Sequence, residues 1–295
     1  MHDLDQRRVS RGVASGQLVR LKRGAFFEVR AWLAMSAAEQ HRERVRAFGV
    51  TSMSAVFSHW SAASILELPM VGRWPVEVHV TADRAAGGRS EPGLIRHCVG
   101  LPDEDVVVTR GIATTSVART LVDLAAAQPF RFAVAPVDHG LRMHLVSSDE
   151  LIARAEVRRR GGLRALRVVE FGDARSANAG ESLSRAVIHQ FGFPRPELQV
   201  EHQIDGRTYF TDFEWPEHRA IAEFDGKGKY LSPELTGSRT AAQVVLDEKD
   251  RENRIRRATG YLVGRWDWPE ALRREPVAVA LDAIGLPRGP RARFT

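Results

Sequence analysis

The sequence has little of what stabilises secreted proteins or anchors membrane proteins. It contains one cysteine, Cys98, in 295 residues, which excludes an intramolecular disulfide framework and is typical of a reducing cytoplasm. No apolar run approaches the length of about 20 residues that a transmembrane helix needs. The first ten residues, MHDLDQRRVS, are too polar for a signal peptide. We therefore expect a cytoplasmic protein without a membrane partner.

Signatures of repeat architectures and of common cofactor sites are also missing. The sequence has no repeat period and no low-complexity tract. The GKG tripeptide at 226–228 lacks the spacing of a Walker loop. His189, His202 and His218 show no zinc-ligand spacing, so we interpret them as surface or packing residues.

The charge is unevenly distributed, and its pattern says more than the net charge of +6. Residues 1–50 and 251–295 each carry 10 Lys and Arg against 5 Asp and Glu, whereas residues 201–250 carry 6 against 11. Basic segments attract phosphates, and an acidic centre needs a proton or a cation to offset its repulsion. This pattern favours a nuclease, with chance clustering of solvated charges as the alternative.

A helix and a basic hairpin open the chain. Residues 3–14 have a helical pattern, and residues 18–22 and 25–29 are strand-like segments joined through a tight turn. The order matches the end of a winged helix-turn-helix whose preceding helices are missing, so residues 1–50 are predicted to form a truncated winged helix. Its predicted DNA contacts, with an ordinary surface hairpin as the alternative, are Arg7, Arg8, Arg11, Arg20, Lys22 and Arg23.

The next segments mix helical and strand patterns, which predicts an α/β or α+β fold. A capping box of Ser36 and Glu39 begins a helix that runs to about residue 48. Strands over 74–81 and 93–99 indicate an α/β middle domain at residues 51–172. Further helices are predicted over 58–66, 115–127, 131–145 and 148–160.

Residues 173–295 are predicted to form a last domain of the order αβββαβα, entered through a small, polar linker at 172–180. Asp205-Gly206 is a two-residue hairpin signal between its first two strands. The predicted elements are a helix over 181–191, strands over 198–204, 207–215 and 219–225, a helix over 239–258, a strand over 261–266 and a helix from residue 269.

Acidic side chains gather on two neighbouring strands of this domain, in the stretch TDFEWPEHRAIAEFDGKGKY at 211–230. Because side chains alternate along a strand, Asp212 and Glu214 share one face, and Glu223 and Asp225 share one face of the next strand. Cross-strand neighbours lie about 5 Å apart, close enough for two carboxylates to hold one Mg²⁺. With Glu181 as a third donor, this oxygen set favours Mg²⁺ or Mn²⁺ over zinc.

The order αβββαβ with carboxylates on its second and third strands resembles the PD-(D/E)xK nuclease superfamily, and within it the uncharacterised branch similar to very-short-patch repair endonucleases. The resemblance covers about residues 178–272, in the pieces GESLSR, GFPRPELQ, TDFEWPEHRAIAEFDGKGKY, DEKDRENRIRRATG and LVGRWDW. It implies a restriction-endonuclease-like fold in which Asp212 and Glu223 hold the metal and Glu181 completes the site.

One position departs from the superfamily pattern. Its lysine belongs two residues after Glu223, where this chain has Asp225, an acidic residue often found there in this branch and here given an assisting role. A cation is still needed to position the attacking water and to offset charge in the transition state. Lys227, Lys229 and Lys249 are the candidates, and Lys229 is favoured because it follows the strand closely. Without such a lysine, the domain would bind metal and DNA without cutting.

Two further features indicate DNA as the partner. Helix 239–258 places Lys249 and Arg256 on one face, which is predicted to hold the DNA backbone, with a solvated face as the alternative. The segments RLKRGAFF, SHWSAASILELP and TTSVARTLVDLA resemble AbiEi-type antitoxins of actinobacterial type. That resemblance implies a DNA-binding autorepressor with a cognate toxin or operon partner.

The favoured function is therefore Mg²⁺-dependent hydrolysis of DNA phosphodiesters. The alternative is a non-catalytic AbiEi-type antitoxin or autorepressor that carries a degenerate nuclease fold.

Overall fold

The computed structural model describes residues 2–50, 55–82, 92–157, 160–226 and 241–290, and the side chains of residues 2–6 and 241–249 lie outside the description. Helices are combined with antiparallel and mixed sheets, which confirms the predicted α+β class. The chain forms two compact units, one of residues 1–127 and 145–166 and one of residues 128–144 and 167–295. None of the helices in the described segments has the length and apolar character that a membrane span requires.

The first unit begins with the predicted helix and hairpin. Helix α1 (His2–Ala14) precedes strands β1 (Leu18–Lys22) and β2 (Ala25–Glu28), which pair antiparallel. Helices α2 (Val29–Ala34) and α3 (Ala37–Gly49) follow. The predicted capping box is confirmed, because the Ser36 side chain accepts from the Glu39 amide while the Glu39 carboxylate accepts from the Ser36 amide.

A five-stranded sheet of order β5-β4-β3-β7-β6 forms the centre of this unit. The predicted strand at 74–81 starts later, at residue 78, and the hairpin at 106–115 was not predicted from the sequence. The strands are β3 (Val56–Phe57), β4 (Val78–Ala82), β5 (Leu94–Cys98), β6 (Val106–Thr109) and β7 (Ile112–Thr115). The helices around them are α4 (His59–Ile65), α5 (Val117–Ala127) and α7 (Ser148–Glu156), with a 3₁₀ turn at Asp103–Asp105.

The second unit has the predicted αβββαβα order. Within its described residues, the sheet order is β11-β10-β9-β8, antiparallel except for the parallel pair β10 and β11. Its strands are β8 (Glu197–Ile204), β9 (Arg207–Trp215), β10 (Ala220–Asp225) and β11 (Leu262–Asp267). Its helices are α6 (Phe130–Arg142), α9 (Ala179–Gln190), α10 (Ala241–Thr259), α11 (Trp268–Arg273) and α12 (Glu275–Ala283), with a 3₁₀ turn at Pro216–His218. Helix α8 (Gly162–Phe171) was not predicted, and its residues are divided between the two units.

Tight packing holds α9 against the sheet. The sheet core contains Phe213 and Trp266, whose rings stack with centroids 5.8 Å apart. The indole Nε1 of Trp266 donates to Ser184 Oγ on α9 at 2.7 Å. A Cβ at Gly180 would lie 2.0 Å from the Phe224 ring, so only glycine permits this approach of α9 to β10. The start of α9 is thereby fixed beside the acidic strands.

The boundaries of the two units differ from the domain boundaries that the sequence predicted at residues 50 and 172. Val45 and Phe48 on α3 share an apolar core with Phe57 on β3 and Val78 on β4, so residues 1–50 have no separate core. Helix α6 packs on α9 within the second unit. Sequence patterns are local, and they carry no information about which distant helix a segment packs on.

Candidate functional site

The beginning of α9 holds Glu181 in a fixed position. Asn178 caps the helix by accepting from the amides of Gly180 and Glu181, at 2.9 and 3.1 Å. In return, Glu181 Oε1 accepts from Asn178 Nδ2 at 2.5 Å and Oε2 accepts from the Ala177 amide at 2.8 Å. Glu181 is only 4% exposed. Its carboxylate is therefore held at the helix start, where the helix dipole favours negative charge.

A glutamine that the sequence analysis did not single out joins Glu181 to Asp212. Gln199 Nε2 on β8 donates to Glu181 Oε2 at 3.0 Å and to Asp212 Oδ1 at 3.2 Å. The other oxygen of Asp212 accepts from the Phe224 amide on β10 at 2.8 Å. Gln199 has φ of 51°, a left-handed conformation that costs a non-glycine residue about 1–2 kcal/mol. Such strain is characteristic of positions constrained by a site.

Asp212 and Glu223 lie on the neighbouring strands β9 and β10, where the sequence analysis expected them. In the β9–β10 register Ile221 pairs with Glu214 and Ala222 with Phe213, and the next step brings Glu223 against Asp212. On its other side Glu223 pairs with Arg265 of β11. Glu223 is therefore flanked by an acidic and a basic side chain.

Burial and the nearby charge of Asp212 raise the pKa of Glu223 to about 8, and Arg251 opposes that shift. Arg251 on α10 donates from Nη1 to Glu223 Oε2 at 3.1 Å and from Nη2 to Oε1 at 3.4 Å, and it also donates to the Phe210 carbonyl. Glu223 is 6% exposed. A buried carboxylate with a raised pKa gains from any cation that approaches it.

The remaining acidic residues of the two strands have separate partners. Asp225 accepts from Arg265 Nη1 at 3.2 Å, and Arg265 Nη2 lies 3.1 Å from Glu252 on α10. Glu214 Oε2 lies 2.7 Å from His202 Nε2 and accepts from Thr211 Oγ1 at 2.9 Å. Glu214 is thus satisfied by its own polar partners, and Asp225 belongs to an ion-pair network beside the Asp212–Glu223 pair.

Carboxylate oxygens are suitable ligands for a hard divalent cation, but the oxygens of these residues are not close enough together to form one coordination sphere. Within the described residues, a single trio of histidine, cysteine or acidic residues has ligand atoms within 4.8 Å of one another, and it lies in the first unit. Glu181 and Asp212 are instead joined by the Gln199 amide, and Glu223 is contacted by the Arg251 guanidinium. Binding of a cation would require these two side chains to give up hydrogen bonds.

Several predicted cations lie outside the description. Lys227 and Lys229 fall in residues 227–240, and the side chain of Lys249 is among those not described. Arg256 is half exposed and lies 3.4 Å from Glu252 on the same helix. Among the described side chains, Arg251 is a cation in contact with Glu223.

The predicted N-terminal cations are accessible, with one exception. Arg7, Arg8, Arg11, Arg20 and Arg23 are exposed, and no described carboxylate forms an ion pair with them. Lys22 is partly buried, with its Nζ 4.3 Å from the centroid of the Phe48 ring. Its stem therefore contributes to packing on α3 as well as to surface charge.

Three residues of the site were missed because their roles depend on tertiary contacts. Gln199 on β8 contacts Glu181 and Asp212, whereas Arg251 on α10 and Arg265 on β11 lie beside Glu223, and only the sheet order and the packing of α10 create these contacts. One local signal existed for Arg251, which precedes the buried Ile255 by one helical turn and therefore lies on the inward side of α10.

Comparison with known proteins assigns no activity. No family model and no solved structure matches the chain. The uncharacterised proteins Rv2248 (strain ATCC 25618 / H37Rv) and MT2308 (strain CDC 1551 / Oshkosh) of Mycobacterium tuberculosis are each 36% identical to it over 152 residues. The match covers 48% of this chain and 56% of each relative, so the chain spans about half the length of the curated relatives it matches.

Proposed function

We propose that the second unit binds a divalent cation, Mg²⁺ or Mn²⁺, and hydrolyses DNA phosphodiesters. The observation that carries this proposal is the pair formed by the partly buried Asp212 and the buried Glu223 on adjacent strands, with the pKa of Glu223 raised to about 8. Two carboxylates kept together at such a cost are typical of sites that bind cations. The αβββαβ order and the fixed position of Glu181 agree with the restriction-endonuclease-like core that the sequence resembles.

Asp212 and Glu223 would hold the cation, with Glu181 as a third oxygen donor. A bound Mg²⁺ supplies Lewis-acid stabilisation of charge on a phosphoryl oxygen. Gln199 orients Glu181 and Asp212 through its amide, and the Phe224 amide fixes the second oxygen of Asp212. These contacts keep the two carboxylates near each other, and the Gln199 amide would give up its hydrogen bonds as the cation binds.

Arg251 would take the role that the superfamily pattern gives to a lysine. Its guanidinium contacts Glu223 and carries two donor nitrogens toward the site. A guanidinium binds phosphate in a bidentate manner, so an entering phosphate would compete for Arg251 and release Glu223 for the cation. Lys229 remains the predicted lysine, and Asp225 an assisting residue held by Arg265.

Attraction of the DNA backbone would come from exposed arginines rather than from the acidic pair. Arg7, Arg8, Arg11, Arg20 and Arg23 present charge without a described acidic partner. Lysine and arginine contacts with phosphates supply sequence-independent affinity that falls with salt. DNA binding is therefore expected without a divalent cation.

The second candidate is a non-catalytic DNA-binding regulator of the AbiEi-type, with a toxin or operon partner. It is favoured by the bidentate contact of Arg251 with Glu223, which already provides Glu223 with a positive partner. In that case the Asp212–Glu223 pair does not support cleavage, whether or not it still binds a cation.

The two candidates are separated by one set of assays on the purified full chain. Plasmid and oligonucleotide substrates are incubated with chelator, Mg²⁺ or Mn²⁺, and the melting temperature is recorded under the same conditions. We expect wild-type protein to cleave DNA and to melt at a higher temperature with the cation. Asp212→Asn and Glu223→Gln should lose both effects.

Glu217→Gln is the matched control, because Glu217 is an exposed carboxylate in the turn between β9 and β10. It should behave as wild type. A thermal response to Mn²⁺ without cleavage would support a cation-binding regulator. Absence of any thermal response in wild-type protein would refute the cation site, and cleavage that persists in Asp212→Asn would identify a contaminant.

A further inference from the structure

Three histidines from distant parts of the first unit converge at one point. One ligand nitrogen from each of His59, His79 and His97 lies within 4.8 Å of the other two. The rings of His59 and His97 stack with centroids 3.8 Å apart, and Nδ1 of His79 lies 3.0 Å from Nε2 of His97. In the part of the chain that the structure describes, no other trio of histidine, cysteine and acidic residues is so close.

The fold brings these histidines together through backbone pairing. Strands β4 and β5 are parallel, with Thr81 opposite His97 and His79 opposite Ile95, so His79 and His97 share a face of the sheet. The Ser58 amide donates to the His79 carbonyl at 3.0 Å, which places the start of α4 beside β4. His59 then adopts φ of 51°, a left-handed conformation that side chains rarely adopt outside constrained sites.

Hydroxyl groups on α4 and before it support the cluster. Ser58 Oγ lies 3.0 Å from His59 Nδ1. Ser61 Oγ accepts from the His79 amide at 2.8 Å and lies 3.0 Å from His41 Nε2. The Ser58 contact gives the His59 ring the kind of outer partner that metal-binding histidines usually have, and the Ser61 contact holds the His79 backbone.

We propose that His59, His79 and His97 bind one transition-metal ion of the zinc class. Imidazole nitrogens suit Zn²⁺, Co²⁺ and Ni²⁺, whereas Mg²⁺ requires oxygen ligands. With Zn–N bonds of about 2.0–2.1 Å and tetrahedral angles, ligand nitrogens lie roughly 3.3 Å apart. The observed spacing of 3.0 Å for one pair, and at most 4.8 Å for the set, needs only side-chain rotations to reach that value.

The trio supplies three of the four ligands of a tetrahedral zinc-class site. Three protein ligands with an open position are typical of zinc sites that hold water or a small ligand. His59 is buried, but His79 and His97 are only partly so, which gives an ion and a water access from one side. Cys98 follows His97 directly and by strand alternation points to the opposite face of β5, so a thiolate is not expected to complete the set.

This site is separate from the carboxylate pair of the second unit in both ligand chemistry and location. The competing interpretation is a stacked histidine cluster held only by hydrogen bonds. The two interpretations differ in stoichiometry, because a hydrogen-bonded cluster takes up no ion.

The test is titration of chelator-treated full-length protein with Zn²⁺ by calorimetry and with Co²⁺ by visible absorption, which reports tetrahedral nitrogen ligands. We expect one equivalent of either ion per chain and an increase in melting temperature. His79→Gln and His97→Gln should each lower the affinity for the ion by at least about 100-fold. Loss of a residue that only orients a ligand costs at most about 100-fold, so a larger loss indicates that the histidine itself is a ligand. The tetrahedral cobalt spectrum should disappear in both variants.

Two control variants locate the binding. His218→Gln changes a histidine outside the trio, and Asp212→Asn removes the carboxylate proposed to bind Mg²⁺; both should keep the stoichiometric ion and its spectrum. The measurement on wild-type protein does not depend on the folding of any variant. The proposal is therefore overturned if wild-type protein with one equivalent of Co²⁺ shows no tetrahedral cobalt spectrum. The proposal is equally refuted if His79→Gln and His97→Gln retain the ion, or if Asp212→Asn loses it.

Discussion

The buried ion pair between Asp138 on α6 and Arg185 on α9 gives a sharp prediction for stability. The two residues are 1% and 2% exposed, and Arg185 Nη2 donates to both Asp138 oxygens at 2.7 and 2.8 Å. Arg185 Nη1 also donates to the Phe171 carbonyl at 2.7 Å, and its guanidinium lies 4.1 Å from the centroid of the Phe171 ring. Arg185 lies one turn after Glu181, so the same pair positions the helix that carries a proposed ligand.

Arg185→Met should destabilise the second unit by about 3–5 kcal/mol, because it leaves the Asp138 carboxylate buried without its cation. The Asp173 amide, which donates to Asp138 at 2.8 Å, cannot replace that charge. Burial already raises the pKa of Asp138, with Arg185 opposing the shift, so removal of both charges relieves a desolvation cost. The double variant Asp138→Leu with Arg185→Met should therefore be more stable than Arg185→Met alone, by at least about 3 kcal/mol.

Urea unfolding measures the loss, and hydrogen exchange of peptides from α6 and α9 assigns it to the second unit. With a slope of about 2–3 kcal/mol per molar urea, the expected shift of the midpoint is about 1–2.5 M. Arg254→Met is the control, since Arg254 pairs with Asp205 on the surface, with 40% and 69% of the side chains exposed; it should cost less than about 1 kcal/mol. The reasoning fails if Arg185→Met costs no more than this control, or if the double variant is as unstable as the single one.

Two further predictions concern charge. Replacing Arg7, Arg8 and Arg11 with alanine should lower the slope of log affinity for DNA against log salt by about 2.7, or about 0.9 for each lost phosphate contact, as measured by fluorescence anisotropy. Burial lowers the pKa of His41 to about 4, with Arg44 adding to the shift, against about 6.5 when unfolded. Because the folded protein holds His41 neutral, this residue contributes stability that is fully present above pH 6.5 and is lost as the pH falls toward 4. The free energy of unfolding should fall by about 2 kcal/mol between pH 7 and pH 5.

The controls differ for the two measurements. For DNA binding, Arg288→Ala removes an arginine that pairs with Asp282 and should leave the slope unchanged; a slope unaffected by the triple substitution would exclude those arginines as contacts. For pH, unfolding free energies of wild-type protein and His41→Gln are compared at pH 7 and pH 5 in metal-free buffer. Equal losses in the two proteins would show that His41 does not titrate as described.

The sequence determined the local structure of this protein. The capping box at Ser36 and Glu39, the Asp205-Gly206 turn and the alternating strands around it were predicted from patterns that extend over a few residues, and the structure has them. Both Asp205 and Gly206 have positive φ, as a tight two-residue hairpin turn requires. Strand alternation also placed Asp212 and Glu223 on two neighbouring strands, whereas the register that brings them together comes from the structure.

Only the tertiary structure decided which distant side chains complete the sites. Gln199 joins Glu181 to Asp212, and Arg251 reaches Glu223, through packing that no local period encodes. His59, His79 and His97 are each about twenty residues apart in sequence, a spacing that matches no metal-binding motif. They come together only because β4 pairs parallel with β5. The assignment of α6 to the second unit has the same origin. Hydrophobic periodicity and turn chemistry act between neighbours in sequence, whereas strand pairing and helix packing depend on contacts between residues far apart in the chain.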